Sequence, residues 1–159
     1  MIDDLDKKII KELRGDARRS YTKLAKVLKV SEGTIRNRVR NLQKRDIIKL
    51  EPVINPCAIG FNFIAVMALD VRVADLGTVA DMLTKLPNVY YLASVTGRYD
   101  MVAIILSRST QELSDFIKNH ISSMPGILGS ETLVNLEVMK SPWANGGDIN
   151  KIVNLFNNN

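Results

Sequence analysis

Between Lys29 and Asp46 the chain carries six Lys and Arg residues against two acidic ones. At the helical period of about 100° per residue, Gly33, Thr34, Asn37, Arg40, Asn41 and Lys44 fall on one side of this segment, with Arg36, Arg38 and Arg45 on its flanks. The opposite side is an apolar stripe of Ile35, Val39 and Leu42. Guanidinium and ammonium groups so arranged suit a polyanion, although a charge run taken alone is more often a solvated face. Other chemistry has little to work with. One histidine, His120, and one cysteine, Cys57, allow neither a Cys/His zinc cluster nor an intrachain disulfide, and both are expected to be packing or surface groups. No catalytic residue, metal site or cofactor is expected.

The basic segment needs a scaffold. Ser31 is suited to cap a helix starting near Glu32, because its hydroxyl can accept an unpaired backbone N–H, and Glu32 complements the positive end of the helix dipole. Upstream, Ile2, Leu5, Ile9 and Leu13 share one helical face that ends near Gly15. Ser20 caps a second short helix, whose stripe is Tyr21, Leu24, Ala25 and Leu28, and only Lys29 and Val30 separate it from Ser31. Two amphipathic helices joined so tightly must cross steeply, which is the helix-turn-helix, and the second of them is the one that enters a major groove.

The charge distribution points the same way. Residues 1–50 hold 15 Lys and Arg against 7 Asp and Glu, a net +8, whereas residues 51–159 hold 7 against 10, a net −3. The positive third of the chain is therefore expected to meet double-stranded DNA. Near the start of the second helix, Gly33, Thr34, Asn37 and Arg38 are placed to face base edges. Asn can bridge adenine N6 and N7, and Arg guanine O6 and N7, each worth about 1–3 kcal/mol of discrimination. Arg36, Arg40 and Lys44, with Arg18, Arg19 and Lys23 around the preceding helix, are expected on phosphates.

Beyond Asp46 the apolar period shortens to two or becomes continuous. Ile47 to Pro56 suggests a strand and then a linker broken by Pro52 and Pro56. The remainder predicts strands over 61–71, 89–97, 98–107 and 127–139 and helices over 73–86 and 110–124, an α+β order of β-α-β-β-α-β. That is the ferredoxin-like arrangement, an antiparallel sheet with both helices on one face. Leu86-Pro-Asn-Val89 and Met124-Pro-Gly-Ile127 mark an internal repeat of about 38 residues. A hydrophobic share of 46% fits a globular protein of one or two domains. With no apolar run near the roughly 20 residues that span a bilayer, and no apolar core in the leading MIDDLDKK, a cytoplasmic location is expected.

Over roughly residues 3–140 the chain resembles the bacterial and archaeal Lrp/AsnC, or feast/famine, transcription regulators. The resemblance rests on LDKKIIKEL, ARRSYTKLAKVLKVSEGTIRNRVRNL, VINPCAIGF, VTGRYD and MPGI. It implies a winged-type helix-turn-helix domain over 1–50, a hinge strand and linker over 51–62, a ferredoxin-like RAM domain over 63–140 and a tail over 141–159. In that family the RAM domain dimerises through its sheet, assembles dimers into tetramers or octamers, and senses amino acids. Lys29 and Asp46 stand where the family commonly has Gly. A non-Gly residue at positive φ costs on the order of 1 kcal/mol, so Lys29 is expected in a slightly different turn.

The resemblance also assigns a ligand site. Thr96-Gly97-Arg98-Tyr99-Asp100 reads locally as a hairpin turn that needs Gly, but the matching family loop lines the amino-acid pocket. Asp100 would then accept from an α-ammonium, and Ser122, Thr132 and Val134 would close the pocket. Two other functions share the architecture. A non-specific DNA-wrapping protein differs in its ratio of specific to non-specific affinity. A sirohaem decarboxylase-like enzyme needs histidines and cations in the second domain, where this chain has little of either. In the tail, Ile149, Ile152, Val153 and Phe156 suggest a short amphipathic helix after Gly146-Gly147.

Overall fold

A computed structural model of the protein describes residues 2–139 and 141; the expected tail helix lies outside the described residues. The chain divides between Val53 and Ile54 into two compact units. The first holds three helices, α1 (Asp4–Gly15), α2 (Tyr21–Leu28) and α3 (Glu32–Lys44). Asp3, Ser20 and Ser31 cap them, their side chains accepting the backbone N–H groups of Asp6, Lys23 and Thr34. Ile9, Leu13, Leu24, Ile35, Val39 and Leu42 are buried together, with Leu5, Tyr21 and Leu28 packed around them. Each fully buried aliphatic side chain contributes about 1.5–3 kcal/mol, so these stripes fix how each helix is rotated.

The helix-turn-helix closes in a way the sequence did not suggest. Lys29 adopts φ 55° and ψ 45°, in the left-handed region, rather than a different turn. The N–H of Val30 then reaches back to the carbonyl of Ala25 at 3.0 Å. Asp46, at φ 51°, does the same for α3, and the Ile47 N–H bonds the Leu42 carbonyl at 2.9 Å. Both are the left-handed helix stop usually made by Gly. The orphan carbonyls it satisfies, together with the tight α2–α3 turn it permits, offset a conformational cost on the order of 1 kcal/mol per residue.

Neither a wing nor a hinge strand accompanies these helices among the described residues. Residues 47–56 form no strand, and the segment after them makes only a 3₁₀ turn, Cys57–Ile59. Pro52 and Pro56 lack the N–H a ladder needs, and the one sheet takes its four strands from elsewhere.

The second unit contains β1 (Phe63–Val71), α4 (Leu76–Leu83), β2 (Val89–Ser94), β3 (Met101–Ser107), α5 (Thr110–Phe116) and β4 (Ile127–Val134). A 3₁₀ turn precedes α4, and α5 continues as a π-helix over Ile117–Ile121. Both helices are shorter than their expected spans, while β2 and β4 begin at Val89 and Ile127, the repeat positions. The sheet is antiparallel in the order β2-β3-β1-β4. Ala65, Met67, Leu69 and Val71 of β1 face Val79 and Leu83 of α4 and Leu113, Phe116 and Ile121 of the α5 arm in one core.

Gly126 lets the last strand enter this core. It sits at φ 94°, and a Cβ there would lie 2.6 Å from the Cβ of Asp75, while its carbonyl accepts from the Arg72 N–H at 2.8 Å. Residues directly opposite in a ladder share a face, so the register puts Ile64, Val66 and Ala68, Val102, Ile104 and Leu106, Tyr91, and Leu133 on the side away from the helices. This second sheet face is mostly apolar, with Asp70 and Glu131 towards one end, and its residues lie outside the core that α4 and α5 form with the sheet.

Candidate functional site

On α3 the exposed stripe is Gly33, Asn37, Arg40 and Lys44, opposite the buried Ile35, Val39 and Leu42. The side chains of Arg18, Lys23, Arg40 and Lys44 make no hydrogen bond, ion pair or ring contact among the described residues. Their charge is available to an external anion. Other basic groups are engaged. Arg19 pairs with Glu12 of α1. Arg36 donates to Glu32 at 2.7 Å, and the other oxygen of Glu32 accepts from the Thr22 hydroxyl at 2.7 Å, tying the start of α2 to the start of α3. The Thr22 hydroxyl and the Arg36 guanidinium hold the Glu32 carboxyl below its ordinary range. Ser31 and Thr34 are joined through their hydroxyls at 2.8 Å.

Arg38 departs furthest from its expected place at base edges. Its guanidinium bonds both Asp3 and Asp6, the two carboxylates of the capping box that starts α1. Asp6 is 4% exposed, and Arg38 supplies the positive charge beside it. The residue is a buttress between α1 and α3. Its flank position, about 140° from Gly33 around the helix, turns it towards the core rather than the open stripe.

The loop between β2 and β3 is fastened at two points. Asp100 accepts the Val71 N–H through Oδ2 at 2.8 Å, at the place where the β1–β4 register shifts between Asp70 and Val71. Its own N–H bonds the Leu69 carbonyl, and its carbonyl accepts from Val95. Tyr99 donates its hydroxyl to Glu131 of β4, and Arg98 lies over the Tyr99 ring at 5.2 Å. The bond to Glu131 raises the Tyr99 hydroxyl above its ordinary range, and the nearby Asp70 charge adds to it. Gly97, at φ 131°, allows the reversal, and Thr96, Gly97 and Arg98 are exposed.

The other expected ligand residues are less gathered. Thr132 and Val134 pair with Met67 and Ala65, so they belong to the helix side of β4, whereas Glu131 belongs to the open side. Ser122 is exposed just beyond the π-helical end of α5. Glu131 was not anticipated, because a contact across 32 residues of sequence leaves no local signal. The Thr22–Glu32 bond was hidden likewise. Asp3 was legible in principle, as an acidic cap three residues before a second acid.

Among the described residues, no group of His, Cys, Asp and Glu could hold a metal ion, and no helix is long and apolar enough to cross a membrane. A capped helix-turn-helix with an outward basic stripe, followed by a separate α+β unit, is the plan of a two-domain transcription regulator. Family models agree: the AsnC-type helix-turn-helix domain matches residues 2–43, and the Lrp/AsnC ligand binding domain matches residues 63–143. The chain belongs to the Lrp/AsnC family of transcription regulators, which is regulatory rather than enzymatic.

An uncharacterized HTH-type transcriptional regulator of Pyrococcus furiosus is 37% identical over 145 residues, 91% of this chain and 98% of that protein. The HTH-type transcriptional regulator FL11 of the same organism is 33% identical over 141 residues, 88% of this chain and 93% of its own length. Among solved structures, E. coli AsnC superposes with a TM-score of 0.80 at 29% identity, covering 89% of this chain and 97% of its own. A Neisseria meningitidis regulator solved as an L-Met complex superposes at 0.79 with 19% identity, covering 89% and 94%, a likeness of fold.

The Asp3–Arg38–Asp6 contact generates a pH prediction. The Asp6 N–H that Asp3 accepts, together with Arg38, holds the Asp3 carboxyl below its ordinary 3.8. A depressed folded pKa gives stability that is present above the unfolded value and lost as pH falls through the folded one. The melting temperature of the first unit should therefore drop as the pH falls below about 4. In Arg38→Ala the melting temperature at neutral pH should fall, while the base preference of the remaining folded protein is retained. Melting curves by circular dichroism from neutral pH into the acid range check the stability of both proteins, and duplex binding checks the preference; a variant that melts like the native protein but binds with altered base preference would return Arg38 to the reading surface.

Proposed function

We propose that the protein binds specific, palindromic DNA sites through α3 and that an amino acid at its RAM domain modulates that binding. The observation that carries the first half is the stripe of Gly33, Asn37, Arg40 and Lys44, whose cations have no partner within the described residues. Arg40 and Lys44, with Arg18 and Lys23, grip phosphates; Asn37 and Thr34 read bases near the start of the helix. Arg19 and Arg36 add phosphate contacts through the guanidinium N–H groups that Glu12 and Glu32 do not engage. Ser31 contributes through its cap, which sets the first turn.

The effector reading rests on the loop at Gly97. Asp100 retains a second carboxylate oxygen, Oδ1, that no group among the described residues engages, and the exposed Thr96 hydroxyl, Gly97 N–H and Arg98 guanidinium supply donors for a carboxylate. The Neisseria structure carries L-Met on the same fold, which supports an amino acid as the ligand class. Tyr99 holds the loop to Glu131, and Ser122, Thr132 and Val134 would contribute from a neighbouring surface. A second copy of the sheet covers the open apolar face, making the protein a homodimer that assembles into a tetramer or octamer.

Three outcomes are expected. Arg40→Ala should weaken specific and non-specific DNA binding alike and reduce the salt slope by about one, whereas Asn37→Ala should relax base preference at one position, at about 1–3 kcal/mol. Fluorescence anisotropy against duplexes enriched from a random pool reads both, and unchanged affinity in the two variants would place a different helix in the groove. Light scattering at micromolar concentration should return at least a dimer; a monomer contradicts the sheet-to-sheet contact. Asp100→Ala would strip the Val71 N–H of its acceptor, at about 1–3 kcal/mol, so Asp100→Asn is the cleaner variant. It keeps an oxygen for Val71 but loses the charge. After a thermal-shift screen of the twenty amino acids, calorimetry should show the selected one binding Asp100→Asn at least about tenfold more weakly, a loss of roughly 1.4 kcal/mol; equal affinity removes Asp100 from the pocket.

A further inference from the structure

Gly33 is the one position on the exposed stripe of α3 without a side chain. It lies in the first turn of the helix, where Gly is less favourable than Ala by up to about 1 kcal/mol. Nothing among the described residues requires that. The nearest atom to an added Cβ would be Ser31 Oγ at 3.8 Å, an ordinary contact, and the backbone at Gly33 is helical rather than left-handed. An alanine would therefore fit the folded protein without strain. The space that the missing methyl leaves lies in line with Asn37, Arg40 and Lys44 and is open to solvent.

We infer that Gly33 is the point of closest approach between α3 and the DNA, and that it sets sequence preference by the absence of a side chain. The inference rests on the reading of α3 as the groove helix. Phosphate-gripping cations on the same stripe draw the helix towards the duplex, and they reach from long side chains. At Gly33 the backbone itself meets the floor of the major groove, so the base pair beneath it can carry a protruding group such as the thymine methyl. A Cβ would fill that space and hold Asn37 away from its base. Non-specific binding through phosphates needs no such approach.

The two roles of a glycine separate experimentally. Gly33→Ala should raise the melting temperature, by up to roughly 4–8 °C, and at the same time lower affinity for the duplex that the native protein enriches from a random pool at least about tenfold. Affinity for a scrambled duplex should stay within about twofold. Gly77→Ala is the control, because Gly77 lies in the first turn of α4 with equally open surroundings; it should raise stability and leave both affinities unchanged. If the native protein discriminates and Gly33→Ala discriminates equally, the assignment of Gly33 is overturned while α3 stays in the groove. A lower melting temperature in Gly33→Ala would overturn the premise that the fold has no need of glycine there. If the native protein enriches no duplex, the sequence-specific reading itself fails, and this inference fails with it.

Discussion

The burial of Ile35, Val39 and Leu42 against α1 and α2 is the constraint from which the DNA-facing surface follows. Three fully buried aliphatic side chains contribute about 1.5–3 kcal/mol each, whereas two like charges 4 Å apart in water repel by about 1 kcal/mol. The apolar stripe therefore decides the rotation of α3, and the cations go where that rotation puts them. Asn37, Arg40 and Lys44 are carried outward as a row. Arg38, on the flank, is carried inward and meets Asp3 and Asp6. One packing decision thus separates basic residues that serve the fold from those left for a partner.

The second unit uses a similar economy of position. Val71 lies beyond the last β1–β3 pair, Leu69 with Met101, and the Asp100 side chain takes its N–H. Tyr99, beside it in the loop, reaches past β1 to Glu131 on the edge strand β4. A loop that sequence alone marks as a turn is thereby fixed to two strands, which keeps Thr96, Gly97 and Arg98 presented in one place. The exposed donors and the remaining carboxylate oxygen are properties of that fastening rather than of the turn residues alone.

Much of this was legible in the chain. The three helices, their caps at Ser20 and Ser31 and the β-α-β-β-α-β order follow from period and punctuation, because local spacing encodes them. The strand and linker expected over 47–56 differ from the structure, where those residues form no strand, since a strand exists only where a neighbour pairs with it. Lys29 shows a second limit: residue type argued against a left-handed turn, and the tertiary gain of a closed helix-turn-helix outweighed a penalty on the order of 1 kcal/mol. Arg38 and Glu131 show a third, since their partners lie more than thirty residues away and leave no periodic trace.

The central claim is that the outward stripe of α3 lies in the major groove of a specific duplex. Methylation interference tests it most directly, because dimethyl sulfate modifies guanine N7 on the major-groove side and adenine N3 on the minor-groove side. On a duplex enriched by the native protein, the account predicts that N7 methylation at guanines within each half-site blocks binding, with the two half-sites one helical turn or a multiple apart. Interference confined to adenine N3, or absent from both grooves while binding persists, would contradict it.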